Sequence, residues 1–164
     1  MTENIIIEKA LESDVPDIRR ISKEQWAKIF DAFEEQIGHE LYDACFHGAL
    51  EKKEKAIGDY VLKTGNCFVA RIDGKIVGFA TYDIETVNDH PVGILEHNAV
   101  DDAYKGRGIA KKLYDEVFEL MKSIGCRAVR VLTGLDEIHS PARRAYEKAG
   151  FEASLPSIQY FKKL

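Results

Sequence analysis

The sequence lacks most of the features that would mark a nucleic-acid-binding, membrane or secreted protein. Its 164 residues include 23 Lys and Arg against 28 Asp and Glu, and the net charge of −5 leaves no basic excess to neutralise phosphate backbones. No apolar run approaches the roughly 18 residues of a membrane-spanning helix, and the first residues do not form a secretory signal pattern. We therefore expect no nucleic-acid partner, no membrane span and a cytoplasmic location.

Cysteines are few and odd in number, and no two of them have the spacing of a zinc or redox motif. Each stands near apolar neighbours, which favours buried free thiols in a reducing compartment. The cysteines are Cys45, Cys67 and Cys126. His39, Asp43 and His47 share one face of a predicted helix, but a single helix supplies all three, so we expect a solvated polar face and no metal site.

The apolar content of 45% is enough for the core of one domain over residues 1–164, and no repeat or linker divides the chain. Apolar spacing and the Asp73-Gly74 hairpin signal predict the order β, α, α, three strands, α, β, α, two strands. The predicted strands are 5–7, 67–72, 75–83, 92–100, 126–133, a stretch from 151 onward, and 157–163. The predicted helices are 14 to about 30, 34–63 with a break near Gly48 or Gly58, 106–124, and a short one that Ser140 caps before Pro141 and Gly150 ends.

One turn has the composition of an anion site. The segment 101–113 reads DDAYKGRGIAKKL, so a strand ends, a tight turn follows and a helix begins at once. A helix N-terminus attracts anions through its unpaired N–H groups, Gly106 and Gly108 keep Cβ atoms out of the way, and basic residues add positive charge. These basic residues are Lys105, Arg107 and Lys111. Alone, the turn fits a pyrophosphate site and a plain strand-to-helix connection equally well, because dinucleotide and P-loop patterns are absent.

Two stretches of the sequence resemble two motifs of one known superfamily. The stretch AVDDAYKGRGIAKKL resembles motif A of the GNAT superfamily of acyl-CoA-dependent N-acyltransferases, whose Q/R-x-x-G-x-G/A core falls here on Lys105 to Ala110. The stretch HSPARRAYEKAGF, from His139 to Phe151, resembles motif B of the same superfamily. The matching motif B residues are Ala142, Tyr146, Glu147, Lys148, Gly150 and Phe151. The order of predicted elements agrees with that fold across nearly the whole chain.

The resemblance implies a fold, a coenzyme and a reaction. The implied fold is a mixed α/β (α+β) one: a central, mostly antiparallel sheet splayed between its fourth and fifth strands and flanked by helices, with acetyl-CoA in the gap. The implied reaction is direct transfer of the acetyl group to a primary amine of a small molecule or peptide. The implied coenzyme-binding residues are Ala99, Val100, Lys105, Gly106, Arg107, Gly108, Ala110, Lys111, His139 and Tyr146. Lys105 replaces the usual Gln or Arg and His139 the usual Asn, but neither change removes the backbone amides that bind phosphate.

Transfer from a thioester to an amine needs an acid for the leaving thiolate and a base for the amine. Tyr146 is the candidate acid, because a phenol with a pKa of about 10 is protonated at neutral pH and the resemblance places it beside the coenzyme sulfur. A Tyr that only packs one face of the short helix is the structural alternative. Glu96 is the candidate base, because the resemblance puts the base four residues before Val100.

Strand alternation predicts that Glu96 shares a face with Asn98, and that His97 and Ala99 share the other. His97, His90 and a water chain to Glu96 remain alternative routes for the proton. Backbone N–H groups near Ala99 and Val100 are candidates for contact with the thioester carbonyl.

The acceptor is the least determined part of the prediction. The resemblance assigns it to the first two helices and later loops, which here means Trp26, Phe30, Phe33 and the 84–92 loop. Polyamine, aminoglycoside, amino acid and peptide N-terminus all stay open, as does a longer acyl group. A non-catalytic acyl-CoA-binding or regulatory module of the same fold is the competing function, and a homodimer is compatible with either.

Overall fold

The computed structural model describes residues 4–164, which form five helices and a five-stranded sheet. The strands are β1 (Ile6–Lys9), β2 (Cys67–Ile72), β3 (Lys75–Val87), β4 (His90–Val100) and β5 (Val129–Val131). The helices are α1 (Val15–Ile37), α2 (His39–Phe46), α3 (Ala49–Thr64), α4 (Ile109–Ile124) and α5 (Ser140–Lys148). The predicted element order is therefore confirmed as far as α5.

The strands lie in chain order across the sheet, antiparallel from β1 to β4, with β5 parallel to β4. This arrangement confirms the predicted fold class. Within residues 4–164, the ladder between β4 and β5 covers only Gly93 to Leu95. The second half of β4, from Glu96 to Val100, thus runs on without a partner on that side, which we call the open edge of β4.

Apolar side chains cover both faces of the sheet and divide the core into two clusters. One cluster lies between the sheet and α4, whose buried face has the 3.6-residue spacing expected from the sequence. The other lies between the sheet and the pair α1 and α3. The first cluster includes Leu95, Leu113, Val117 and Met121, and the second includes Ile18, Ile21, Ile57 and Phe79. Strand β4 is therefore covered by different helices on its two faces.

The two predicted C-terminal strands are wrong, because residues 151–164 form no regular structure. Alternating apolar residues favour a strand only where a ladder partner is available. This segment instead runs to α2, where Phe161 packs against Phe46 with ring centroids 5.8 Å apart and Lys163 forms an ion pair with Glu40. Leu155 is consequently almost fully exposed, at 98% of its accessible surface.

Several boundaries also differ from the prediction. Helix α1 continues seven residues past the predicted end at residue 30, since Phe33 and Ile37 extend its apolar face to Gly38. Gly48, at φ +67, divides the next helical stretch as predicted. Gly58 lies inside α3, where a Cβ would stand 2.1 Å from Nε of Arg19, so its glycine serves close packing.

Elsewhere the differences follow from ladder pairing and helix capping. The expected 84–92 loop is mostly sheet, because β3 and β4 pair as far as Val87 and His90 around a turn with positive φ at its two residues. Strand β5 is shorter than 126–133, since only three residues pair with β4. Ser140 is the first residue of α5 rather than its cap, and Gly150 follows the helix at φ +97 as predicted.

The cysteines are free, but only one of them is fully buried. Cys67 lies in the core, where burial raises the pKa of its thiol to about 12. Cys126 is half-buried, and Cys45 lies on the exposed side of α2. The expectation of three buried thiols is thus wrong for Cys45, because its short helix contacts the body of the protein through one side only.

Candidate active site

The turn between β4 and α4 has the geometry of an anion site. Gly106 and Gly108 both have φ of +78°, a conformation that side chains with a Cβ rarely adopt, and a Cβ built on either would meet no atom within 4 Å. Among the described residues, no side chain caps the N-terminus of α4, and its first turn has no acidic residue. The N–H groups at the start of this helix of 16 residues therefore face an open space with a favourable dipole.

The basic side chains around this turn are held by neighbours. Nζ of Lys105 lies 2.7 Å from Oδ1 of Asp102, and its hydrogen bond, with one from Lys28, lowers the pKa of that carboxyl. Arg107 donates to the carbonyl of Ala103 at 2.8 Å and its guanidinium lies over the ring of Tyr104. These contacts keep positive charge close to the helix N-terminus.

The last two predicted residues of this region lie on α4. Nζ of Lys111 is 2.6 Å from Oδ2 of Asp115, one turn further along the exposed side. Ala110 is half-buried against the core, so it contributes its backbone amide rather than its methyl group to the open space. The structure thus brings Lys105, Arg107 and Lys111 together at one helix end.

Backbone amides line the open edge of β4. The N–H of Asp101 donates to the carbonyl of Val77 at 2.9 Å, and Ala99 follows the same register. In an antiparallel ladder, alternate residues point their N–H groups to the same neighbour. The amide of Ala99 therefore points to β3, whereas the amides of Asn98 and Val100 point to the open edge. An extended ligand that lies beside β4 therefore meets the amides of Asn98 and Val100.

A buried phenol lies on the side of β4 that α4 and α5 cover. Asn98 Nδ2 donates to Oη of Tyr146 at 3.0 Å, and Tyr114 Oη donates to Oδ1 of the same amide at 2.6 Å. Burial raises the pKa of both tyrosines, and for Tyr146 the hydrogen bonds with Asn98 and Tyr114 oppose that effect. The Tyr146 oxygen thus accepts from Asn98 and also forms a hydrogen bond with Tyr114, which fixes the position of the phenol.

A β-bulge changes the face to which Glu96 belongs. Thr81 opposes both Glu96 and His97, and its hydroxyl accepts from the His97 amide at 2.9 Å. Leu95 packs beneath α4 and Asn98 contacts Tyr114 of that helix, so two residues three apart share one face. The predicted strict alternation, with Glu96 on the face of Asn98, is therefore wrong.

Glu96 lies instead on the α3 side of the sheet. Its negative charge opposes the lowering of the Lys53 pKa that burial causes, and it adds to the rise that burial causes in the pKa of Tyr60. Both of these residues belong to α3. The predicted acid, Tyr146, and the predicted base, Glu96, thus lie on opposite sides of β4.

His97 lies beside Glu96 in the chain and contacts a lysine. Nζ of Lys53 is 2.9 Å from Nε2 of His97, and the indole of Trp26 packs 5.8 Å from the imidazole between ring centroids. Burial and the neighbouring Lys53 lower the pKa of His97 to about 4. Since an ammonium only donates, Nε2 is the acceptor and the neutral ring has its hydrogen on Nδ1.

An aromatic pocket of about 500 Å³ opens next to His97. Trp26, Phe30 and Phe33 of α1 line one wall, Lys53 lies on the α3 wall, and His139 closes the far side. This volume suits a small molecule. The three aromatics that the sequence suggested for an acceptor groove therefore do line one pocket, while the 84–92 segment lies elsewhere, at the tip of the β3–β4 hairpin.

His139 belongs to this pocket as well as to motif B. Its ring centroid is 6.1 Å from that of Phe33, and its Nδ1 lies 2.7 Å from Oδ1 of Asp136. The bond with His139 lowers the pKa of that carboxyl against the opposing effect of burial. The structure thus places the side chain on the pocket wall.

Neither a metal site nor a membrane-spanning helix is found among residues 4–164. No group of three or more His, Cys, Asp or Glu side chains in this range is placed to hold a metal ion. His39 pairs with Glu34 and His47 pairs with Asp43, all on the surface. No helix in the same range is long and apolar enough to cross a bilayer.

A family model described as the Acetyltransferase (GNAT) family matches residues 22–151, well over half of the chain. The chain belongs to this family. The predicted resemblance is thereby confirmed. The GNAT match covers the aromatic pocket, β4, the glycine turn and α5.

Known proteins with similar sequences align over about half of this GNAT chain. An uncharacterised N-acetyltransferase of Methanocaldococcus jannaschii is 32% identical over 88 residues, which is 52% of this chain and 38% of the relative. A glucosamine 6-phosphate N-acetyltransferase of Trypanosoma brucei brucei is 36% identical over 83 residues, 49% of this chain and 53% of the relative. The chain thus spans about half or less of the length of these curated relatives.

Among solved structures, an aminoglycoside N-acetyltransferase in complex with CoA superposes with a TM-score of 0.71. The superposition covers 100% of this chain and 98% of that chain, at 23% sequence identity. At this identity the likeness shows a shared GNAT fold, and it leaves the acceptor undefined.

The sequence analysis did not identify two residues of this GNAT site, Tyr114 and Lys53. Tyr114 lies on the apolar face of α4 next to Leu113, where an aromatic is typical of core. Lys53 stands between other lysines of a predicted helix, where a solvated face is the ordinary interpretation. The only available signal was Asn98, a polar residue near the end of a strand that otherwise reads as half-buried.

Proposed function

We propose that the protein is an acetyl-CoA-dependent N-acetyltransferase that transfers the acetyl group directly to a primary amine of a small molecule or peptide. The observation that carries this proposal is the buried Tyr146 phenol, whose oxygen accepts a hydrogen bond from Asn98 of β4. The proposal treats residues 1–164 as one catalytic domain.

The donor half of the proposal has three parts. The pyrophosphate of acetyl-CoA binds the N–H groups at Gly106 to Ala110, with Lys105, Arg107 and Lys111 around it. The pantetheine arm follows the open edge, where the amides of Asn98 and Val100 are available. Family membership and the CoA complex of the similar fold support this donor. Ala99 contributes packing rather than an amide, because its N–H points to β3.

The chemistry requires two proton transfers. The neutral amine attacks the thioester carbonyl, the carbon–sulfur bond breaks, and the amide forms as the nitrogen loses a proton. Tyr146 gives its proton to the departing thiolate, and Glu96 accepts the proton from the amine directly or through water. Neutral His97 is the alternative acceptor for the second proton. A binding-only module of the same fold has no need for a phenol held in this position.

Calorimetry with CoA tests the donor site. Gly108→Val puts a branched side chain into the open space in front of α4, and we expect CoA binding to be lost. Gly125→Val is the matched control, since Gly125 also has positive φ and open space around its Cβ position, at the other end of the same helix. Both changes strain the backbone, so equal loss of binding in the two variants contradicts this placement.

Release of free thiol from acetyl-CoA with a panel of amines tests the activity itself. We expect amine-dependent release that Gly108→Val abolishes and Gly125→Val retains. A protein that binds CoA but releases no thiol with any amine is the regulatory module instead. That result would reject the catalytic proposal.

A homodimer is part of the same proposal. Its support is the exposure of apolar residues at the C-terminal segment, where Leu155, Ile158 and Tyr160 keep 75% or more of their accessible surface. Sedimentation of the wild type against a Leu155→Ser, Ile158→Ser variant tests it. We expect a dimer that the variant weakens, and a monomeric wild type contradicts it.

A further inference from the structure

The charged side chains that line the aromatic pocket are positive, and a negatively charged residue, Glu96, lies on the neighbouring strand β4. Lys52 and Lys53 line the pocket, and no carboxylate is among the described residues that do. On β4, Nε2 of His97 is 2.9 Å from Nζ of Lys53, and the adjacent residue in the chain is Glu96, whose charge acts on the pKa of Lys53. Lys53 therefore connects the pocket wall to a carboxylate of β4.

Lys53 is able to bind an anion in the pocket. It is half-buried on α3, its ammonium lies 5.6 Å from the Trp26 ring centroid, and its one side-chain hydrogen bond in the structure goes to His97. An ammonium has three donors, so two remain. Partial burial makes a bond from such a group stronger than one at the surface.

The other pocket residues exclude one acceptor class and favour another. A polyamine or other multiply charged cation meets the repulsion of Lys52 and Lys53 and finds no carboxylate on the wall. Trp26, Phe30 and Phe33 instead offer a surface for a large apolar group.

We propose that the acceptor is a free α-amino acid with a large apolar side chain, whose carboxylate binds Lys53, whose amine lies at Glu96, and whose side chain fills the aromatic pocket. This rests on the proposed acetyl transfer. An α-amino acid has its amine and carboxylate on one carbon, which matches Lys53 in contact with His97 and Glu96 next to His97 in β4. It brings the nucleophilic nitrogen to the base while the ring of the substrate stays among the α1 aromatics.

The decisive comparison is between L-phenylalanine and L-phenylalaninamide. The amide has the same shape without the carboxylate, and it also represents a peptide N-terminus. Its amine is the weaker base and is more often neutral, so chemistry alone favours the amide. We expect kcat/KM to be at least about tenfold higher for phenylalanine, the size of one charge-assisted hydrogen bond. Glycine and spermidine, which lack the ring or the carboxylate, should be poor acceptors.

Lys53→Met tests the assigned contact. We expect the ratio of kcat/KM for phenylalanine to that for its amide to fall to one or below, because the variant loses the bond to the carboxylate and leaves the amide unaffected. Lys55→Met is the matched control, since Lys55 lies on the same helix, pairs with Asp59 and does not line the pocket. It should keep the wild-type ratio.

A binding measurement separates failure of this proposal from failure of acetyl transfer. Trp26 is the only tryptophan and lines the pocket, so its fluorescence reports ligands there. We expect phenylalanine to change it with higher affinity than phenylalaninamide, and Lys53→Met to remove the difference. If this holds but no amine is acetylated, the transfer reaction is rejected and the ligand class stands. If amines are acetylated but phenylalanine is not preferred over its amide, the ligand class is rejected and the transfer reaction stands.

Discussion

The two faces of β4 are chemically different. Toward α4 and α5, Asn98 holds the phenol of Tyr146 in a buried cluster of neutral hydrogen-bonding groups. Toward α1 and α3, Glu96 and His97 lie next to Lys53, which lines the aromatic pocket. One face holds a phenol whose pKa is raised by burial, and the other holds a carboxylate and an imidazole near an ammonium.

This difference shows how one strand separates an acid from a base. A carboxylate next to a phenol would compete for the phenol's proton and shift both pKa values. The bulge at Glu96 and His97 avoids this, because it turns the carboxylate away from the face of Asn98 and Tyr146. In the proposed mechanism, the acid and the base therefore act on the reacting centre from two sides of β4.

Tyr146→Phe should have the largest effect. The change removes the acid from one face and keeps the ring among Tyr114 and Phe151. We expect kcat to fall by about 10²–10⁴, with little change in the Michaelis constant for acetyl-CoA. Tyr160→Phe, at an exposed tyrosine, should leave kcat unchanged. A wild-type rate in Tyr146→Phe would assign the thiolate's proton to solvent.

Glu96→Gln should have the next largest effect, on the opposite face. We expect a loss in turnover of about a hundredfold at neutral pH, the lower end for a general base, because water also accepts protons. The deficit should shrink as pH rises and more amine is neutral, while CoA affinity by calorimetry stays the same. A pH–rate profile identical to wild type would move the role to His97 or to solvent.

The half-buried imidazole of His97 should make stability depend on pH. The pKa of His97 is about 4 in the folded protein and about 6.5 when unfolded, so between these values the unfolded chain binds a proton that the folded protein does not. The free energy of unfolding should therefore fall as pH drops from about 6.5 to 4, by at most about 3 kcal/mol from this residue. Urea unfolding should show a shallower pH dependence in His97→Asn. Equal slopes in the two proteins would show that His97 is exposed.

The smallest expected effect is on the titration of His97 itself. Lys53→Met removes a positive charge 2.9 Å away, so the pKa of His97 should rise, by less than the full distance to 6.5 because burial remains. Lys55→Met should not change it. NMR titration of the His97 ring measures both. An unchanged pKa in Lys53→Met would place the ammonium away from the imidazole.

The sequence predicted the fold better than the site. Local signals were strong where they coincide with a backbone requirement: Asp73-Gly74 for a hairpin, Gly48 for a helix break and Pro141 for a helix start. They failed at residues 157–163, where alternation was correct but no strand edge was within reach. They also failed at Glu96, because a bulge depends on pairing with Thr81 and leaves no mark in β4's own residues.

The sequence by itself determined the glycine turn. The turn needs positive φ at residues 106 and 108, which glycine adopts readily, and the helix that follows supplies the N–H groups. It also determined the family, because motif residues such as Tyr146 recur in a fixed local order. Only the tertiary structure decided the partners of Tyr146 and the charge of the aromatic pocket. Asn98 reaches the phenol across 48 residues and Lys53 reaches His97 across 44, and such contacts depend on how strands and helices pack rather than on any local preference.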